Sequence, residues 1–367
     1  MNKLVIGNLV HRPLRTLISV FAIAIEVVMI LCIVAIMLGQ VNGARNSASG
    51  IGADMVVQPP NSSNLSGISG APVPAKIAGV LQKLPHVAVA APAIVVLSTT
   101  GSVETIWGID YASFNALRPF VFLAGTSFQG PNDVIVDDYV AKSDKGHKVG
   151  DTISILNHEF RICGIVEHGK GGRKFLPIHT LGALMGNPDN ASLFYLKSDD
   201  TKNQELVRQE ILATPGLADY QVKTMAEELS FLTPEHLPAF TIALNVVIGI
   251  AVIIGFLVIF QSMYTAVMER TREIGILKSL GASKGYIVNV VLRESALITV
   301  CGILLGMILT QLIHAWMAFR FPTLPFFTTM DWWFKGTGIA LAGGILGAVY
   351  PAFKAAGKDP IDALAYE

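Results

Sequence analysis

Two adjacent carboxylates, three scattered histidines and one glycine–lysine run are the groups in this chain whose types could do chemistry. Asp137 and Asp138 could act as an acid/base pair, but neighbouring carboxylates at the end of a β-rich run read more simply as a turn or helix cap. His158, His168 and His179 lack metal-ligand spacing, and Cys32, Cys163 and Cys301 form no CxxC. The run Gly169-Lys-Gly-Gly-Arg-Lys174 looks like a phosphate loop only on the surface. It lacks GxxxxGK[ST] and reads as a flexible basic surface loop, with partner contact as the alternative. No GxSxG or HExxH occurs, so the chain reads as a non-catalytic protein with no metal and no directly bound cofactor. Glu26 is different in kind, because it sits inside a long apolar run. A buried ionisable group there is either functional, pairing with Asn245, Gln261 or another polar group across an interface, or a protonated glutamate facing protein.

The elements that must position these residues follow from composition. Hydrophobic residues make up 52% of the 367 and charged residues only 15%, with a mean hydropathy of +0.54. A soluble domain carries about 25% charged residues. The deficit sits in four apolar blocks: 17–39, 238–267, 287–317 and 332–350. The first, from Leu17 to Leu38, would reach roughly 33 Å as a helix, enough to cross a bilayer. It is too long for a signal-peptide core, contains Glu26 and lacks a small-x-small cleavage site, so an uncleaved first span is expected. Gly343 and Gly347 in the fourth block fit a close-packing small-residue face. Net charge is zero, which gives no reason to expect nucleic acid.

Basic residues set the expected orientation. Lys3, Arg12 and Arg15 precede the first span, Arg270, Arg272, Lys278 and Lys284 lie between the second and third, and Lys354 and Lys358 follow the fourth. Both termini and the segment 268–286 are expected in the cytoplasm, and 318–331 becomes a short outer loop. Residues 1–16 form either an interfacial amphipathic helix that Pro13 would end or kink, or a disordered positive flank. Residues 40–237 read as a mixed α/β extracytoplasmic domain, with strands at Val87–Ser98, Thr105–Ile109 and Phe194–Leu196 and helical spacing at Ala75–Leu84 and Lys202–Ala213. A hairpin is expected through Asn157–Glu159. The fold class is thus an α-helical membrane protein with four transmembrane helices plus a mixed α/β domain between the first and second.

The most informative segment is MERTREIGILKSLGASK, from Met268 to Lys284. Glu269, Glu273, Arg270 and Arg272 bring both charge signs to one short stretch. Ile274, Ile276, Leu277 and Leu280 give it an apolar stripe, and Gly281 is placed to end a helix. The positive-inside rule explains the arginines but not the glutamates or the stripe. A short helix joined to two spans is a lever that a cytoplasmic partner could push.

This segment resembles the signature of the MacB/FtsX/LolCDE permease superfamily, in which an E-R-x-x-E-I-G-x-x-[KR]-[AS]-[LI]-G-A motif docks on an ATPase. The ending YPAFKAAGKDPIDALAYE is similar to the family's PAxxAAxxxPxxALRxE tail, except that Ala365 stands where Arg is common. NLVHRPLRTLISVFAIAI, IGADMVVQP and the DVIVDDYVAK…GHKVGDTISI…FRICGIV run match the family's entry helix and outer domain. The resemblance implies Glu269, Arg270, Glu273, Ile274, Gly275, Lys278 and Gly281 as the ATPase-coupling contact, supported by Pro351, Ala355, Pro360, Ala363 and Leu364 in a cytoplasmic tail of residues 351–367. It implies a separate ATPase subunit holding ATP and Mg, because these residues contain no nucleotide-binding domain. It further implies a second permease copy, identical or related, lipid contact, and a place in a bacterial inner membrane. Three functions stay open: MacB-like efflux or secretion with a periplasmic adaptor, lipoprotein release, or FtsX-like signalling to an outer enzyme.

Overall fold

The computed structural model describes residues 13–62, 72–98, 104–143, 146–233, 238–321 and 324–359. In chain order these form α1 (Pro13–Gly50), β1 (Met55–Gln58), β2 (Val73–Pro74), α2 (Ile77–Leu81), β3 (Val87–Ser98), β4 (Glu104–Ile109), α3 (Tyr111–Leu117), β5 (Phe122–Gly125), β6 (Asp133–Asp137) and α4 (Asp138–Ala141). Then come β7 (Thr152–Ile155), β8 (His158–Val166), β9 (Lys174–Pro177), α5 (Ile178–Leu184), β10 (Asn190–Ala191), β11 (Leu193–Ser198), α6 (Gln204–Ala213), β12 (Gln221–Thr224) and α7 (Met225–Phe231). The chain closes with α8 (Pro238–Glu269), α9 (Thr271–Ser279), α10 (Lys284–Arg320) and α11 (Met330–Gly357). It divides into a helical unit and an α/β unit, the latter covering Gln40–Leu237 and Phe321–Pro325.

In the helical unit, α1, α8, α10 and α11 are each long and apolar enough to cross a membrane. Pro13 is the first residue of α1, where its missing N–H costs nothing. Residues 1–12 lie outside the described part. The fourth helix runs past its apolar block, so Pro351 and Ala355 lie within α11 rather than in a tail. The small side chains around Pro351, namely Gly347, Ala348, Ala352 and Ala355, give its ring room inside the bundle.

Backbone proximity holds these helices together. A Cβ on Gly302 or Gly306 of α10 would come within 2.6 Å of Ile23 Cβ or 2.8 Å of Val27 Cβ on α1. On α11, Gly347 is equally tight, 2.8 Å from Phe256 O, whereas Gly343 has room, its nearest neighbour at 3.9 Å. Gly344 takes the second close position instead, facing Thr299 of α10, while Ser295 Oγ donates to Gly344 O at 3.0 Å. In hydrocarbon, where apolar side chains gain nothing by leaving lipid, such close approach and buried hydroxyl bonds provide the association.

The α/β unit is built on a mixed sheet of order β12-β1-β11-β3-β4-β9-β6-β8-β5, with β7 pairing β8. Alternate residues of each strand point to opposite faces. Met55 and Val57 join a core with Leu81 of α2, Leu181 of α5 and Ile211 of α6. Val56 joins the other core, with Phe114 of α3, Met225 of α7 and Trp107. The domain is therefore three layers deep, as expected for a sheet apolar on both faces.

Two local expectations need revision. The β7–β8 hairpin turns at Leu156 and Asn157, not through Asn157–Glu159. Ile155 pairs with His158, and both loop residues take positive φ, +50° and +64°. A two-residue turn with positive φ matches the strand twist, and Asn tolerates that region. The Gly169–Lys174 run is not a flexible surface loop throughout. Lys170 is only 6% exposed; its Nζ donates to Arg118 O and lies 3.8 Å from the Phe120 ring centroid. Gly171 N donates to Ser47 O of α1 at 2.8 Å, which straps the segment onto the end of that helix. Gly169 and Gly171 adopt φ of +96° and +79°, a conformation that lets the strap bend this closely.

Asp137 is a helix cap, as the sequence reading preferred over a catalytic pair. Its Oδ1 accepts from Val140 N at 2.8 Å, and burial pushes its carboxyl up to about 6. Asp138 accepts from Lys142 Nζ and pairs with His168 Nδ1, both at 2.8 Å.

Candidate coupling site

The site is assembled on α9. Arg270 (φ −110°, ψ 17°) breaks the helical run after Glu269, so α9 starts afresh at Thr271. At its other end Gly281 N bonds to Lys278 O and Ala282 N to Leu277 O, both at 3.0 Å, with Gly281 at φ +95°. This is a Schellman ending, and Gly281 supplies the left-handed residue it requires.

The rotational setting of α9 sorts the residues named from sequence. Thr271, Ile274 and Gly275 are buried, and Ile274 joins the bundle core with Leu277 packed against it. Ile276 and Leu280 are 43% and 80% exposed. The expected single apolar stripe is thus two half-stripes on opposite sides, because residues 274 and 276 are about 200° apart on a helix. Arg272, Glu273 and Gly281 are exposed beside Ile276 and Leu280. Ile274 and Gly275 therefore belong to the buried face of α9, packed toward the bundle.

Of the remaining charges, Arg270 and Lys278 point inward, while Glu269 is exposed and bridged to α1. Arg270 is 9% exposed, and its NH1 donates to Glu294 Oε1 and Oε2 at 3.3 and 3.2 Å. Arg15 of α1 donates to Glu269 at 3.2 Å and lies 3.6 Å from Glu294. Lys278 Nζ donates to Ala356 O at 3.0 Å and to Lys358 O, satisfying carbonyls at the end of α11. Ala355 is fully buried on that last turn. Pro360, Ala363 and Leu364 lie outside the described residues.

Glu294 was missed by sequence reasoning. It is a carboxylate near the start of a long apolar run, the same signal that singled out Glu26, and it is 4% exposed. A cavity of about 50 Å³ beside it, lined by Val267, Arg270, Ile274 and Ile287, has room for little more than a water molecule. It is far below the 300–1,000 Å³ typical of ligand sites.

Glu26 is 4% exposed within the bundle, and its Oε1 has no hydrogen-bond partner among the described residues. It lies against Gly255 of α8, where a Cβ would overlap its carboxylate. It does not meet Asn245 or Gln261 within the chain. Both are exposed and sit about 15 and 9 Å along α8 from Gly255.

With this geometry in view, the comparisons are consistent along the chain. Residues 16–214 match the MacB-like periplasmic core domain, and residues 245–360 match the FtsX-like permease C-terminal family. The uncharacterized ABC transporter permease YknZ of Bacillus subtilis (strain 168) is 30% identical over 72% of this chain and 70% of its own length. The macrolide export ATP-binding/permease protein MacB of Shewanella sp. (strain W3-18-1) is 25% identical over 97% of this chain, which spans 59% of that protein. The crystal structure of the periplasmic region of MacB from Actinobacillus actinomycetemcomitans matches with a TM-score of 0.38 at 16% identity, covering 52% of this chain and 94% of that one. A four-helix membrane unit and a mixed α/β domain between its first and second helices, matched by these two families over most of the sequence, make the chain a member of the MacB/FtsX-type ABC transporter permeases.

Proposed function

We propose that this permease couples ATP hydrolysis in a separate ATPase subunit to movement of its periplasmic core domain. The observation that carries this is the division of α9 into two faces. One is fixed in the bundle through Ile274, Gly275 and Lys278; the other offers Arg272, Glu273, Ile276 and Leu280 outward. An exposed apolar pair flanked by both charge signs suits a protein partner with a shallow apolar groove. A helix anchored on one side and docked on the other transmits displacement to the spans on either side of it.

In this reading, which the charge distribution supports, α9 and both termini lie in the cytoplasm, where ATP and Mg are held by the partner. Two permeases, identical or related, pair in a bacterial inner membrane among lipid. The substrate is handled on the outer side, with a periplasmic adaptor, as efflux or secretion. Lipoprotein release and signalling to an outer enzyme are the alternatives that the adaptor's identity separates.

The test is ATPase retention. Ile276→Asp and Glu273→Lys alter exposed residues and should leave the fold intact. Each is expected to reduce the ATPase subunit co-purified with the tagged chain from its native membrane by about tenfold, the effect of losing ~1.4 kcal/mol at the contact. Full retention in both variants would remove α9 from the docking surface.

A further inference from the structure

We infer that the buried pair Arg270–Glu294 and the partly exposed Arg15 form an ionic hub that makes α1, α9 and α10 move as one body, and that all three are positioning residues of the coupling site. The inference rests on the docking role of α9 and goes beyond it, since none of the three lies on the docking face.

The geometry has three parts. Glu294 of α10 is 4% exposed and takes both guanidinium contacts, Arg270 NH1 at 3.2 and 3.3 Å and Arg15 NH2 at 3.6 Å. Arg270 is the single residue between α8 and α9, so whatever holds it fixes the pivot of the short helix. Arg15 lies in the first turn of α1 and also holds Glu269, the last residue of α8, at 3.2 Å. One carboxylate therefore ties the pivot to the first helix.

Buried ion pairs are a weak way to gain stability but a strong way to fix a relative position, because separating the partners leaves a charge without compensation. A purely apolar contact at this point could slide, whereas this one tolerates little displacement. The arrangement thus makes α1 the direct recipient of any movement of α9. That link crosses 255 residues of sequence, from position 15 to position 270.

The test uses the full-length chain in lipid nanodiscs, with Cys32, Cys163 and Cys301 replaced by Ala. Spin labels are placed at Leu14→Cys on α1 and Ser279→Cys on α9, both exposed positions. The hub predicts one narrow distance between the labels. Glu294→Gln, which keeps the shape but loses the charge, is expected to broaden that distribution by about twofold, and Glu294→Asp to restore most of its narrowness. Should the Gln variant fail to assemble, Arg15→Gln removes only the arm from α1 and is expected to broaden it likewise.

ATPase retention separates this claim from docking. Glu294→Gln is expected to keep the ATPase subunit and Glu273→Lys to lose it. An unchanged label distance in the Glu294→Gln and Arg15→Gln variants overturns the hub while docking stands. A Glu273→Lys complex that keeps its ATPase overturns docking, and with it the motion the hub would carry.

Discussion

Lys278 reaches from α9 to the end of α11, donating to the carbonyl oxygens of Ala356 and Lys358. A positive charge there complements the negative end of the helix dipole and satisfies carbonyls that no longer have intrahelical donors. Replacing Lys278 with Met keeps the aliphatic stem but leaves those oxygens bare. The expected cost is about 1–3 kcal/mol, seen as a lower unfolding temperature in nanodiscs. Lys278→Arg should recover part of it. An unfolding temperature equal to that of the parent protein would show that solvent serves those carbonyls equally well.

Arg270 should be the most sensitive residue of the site. Arg270→Ala leaves Glu294 buried without its closest cation, and breaking such a pair costs about 3–5 kcal/mol. Folded yield after membrane extraction is the measurement, with Arg272→Ala on the exposed side as the control expected to stay within about 0.5 kcal/mol. Equal yields for the two variants would contradict the burial difference between them.

Close helix approach makes a third prediction. Gly344→Val would drive two methyl groups into Thr299 of α10 and disturb the neighbouring Ser295–Gly344 bond. Overpacking of this kind costs about 1–3 kcal/mol. Gly338→Val, on the same helix with open space around it, should be nearly silent. Thermal unfolding of the two variants side by side decides the matter.

Lys170 gives the α/β domain a pH dependence with a definite sign. Burial against Phe114 and Phe120, reinforced by nearby Arg118, pushes its ammonium group down to about 7 from 10.5. Between those values the unfolded chain binds more protons than the folded one, so stability rises with pH; below about 7 both states are protonated and the penalty is constant. The domain should gain about 1–2 kcal/mol between pH 7 and 9, and Lys170→Met should abolish that slope. Asp137 acts in a separate window. Its carboxyl is raised from 3.8 to about 6, so its contribution is complete below 3.8 and is lost as pH rises through 6. Unfolding temperatures across pH 6–9 for parent and Lys170→Met proteins would test this; parallel curves would refute it.

Much of this architecture was legible in the residues. The four spans announce themselves because hydrocarbon demands long apolar runs, and β3 spans Val87–Ser98, the run whose β-branched content marked it as a strand. Gly281 was readable as a helix end because a left-handed residue is needed there. The orientation of α9 was not. In nine residues with isoleucines on both sides, the buried face is decided by the break at Arg270 and by Lys278 meeting α11, contacts 24 and 78 residues away in sequence. Lys170 was unreadable for a similar reason. Its run is rich in glycine and basic residues, which locally means solvent, while the aromatic rings that bury it lie at positions 114 and 120. Glu294 could have been found by applying to the third apolar block the scrutiny given to Glu26 in the first.

The brevity of the joints around α9 constrains its angular phase. A single residue separates it from α8, and four residues, Leu280 to Lys284 exclusive of the latter, separate it from α10. Neither joint has slack to absorb a change in length. Adding one residue within α9 would turn everything beyond it by about 100° about the axis. An insertion after Thr271 would swing Glu273 and Ile276 off the outward side without changing any side chain. Register, and not composition alone, is what a docking partner of this helix would read.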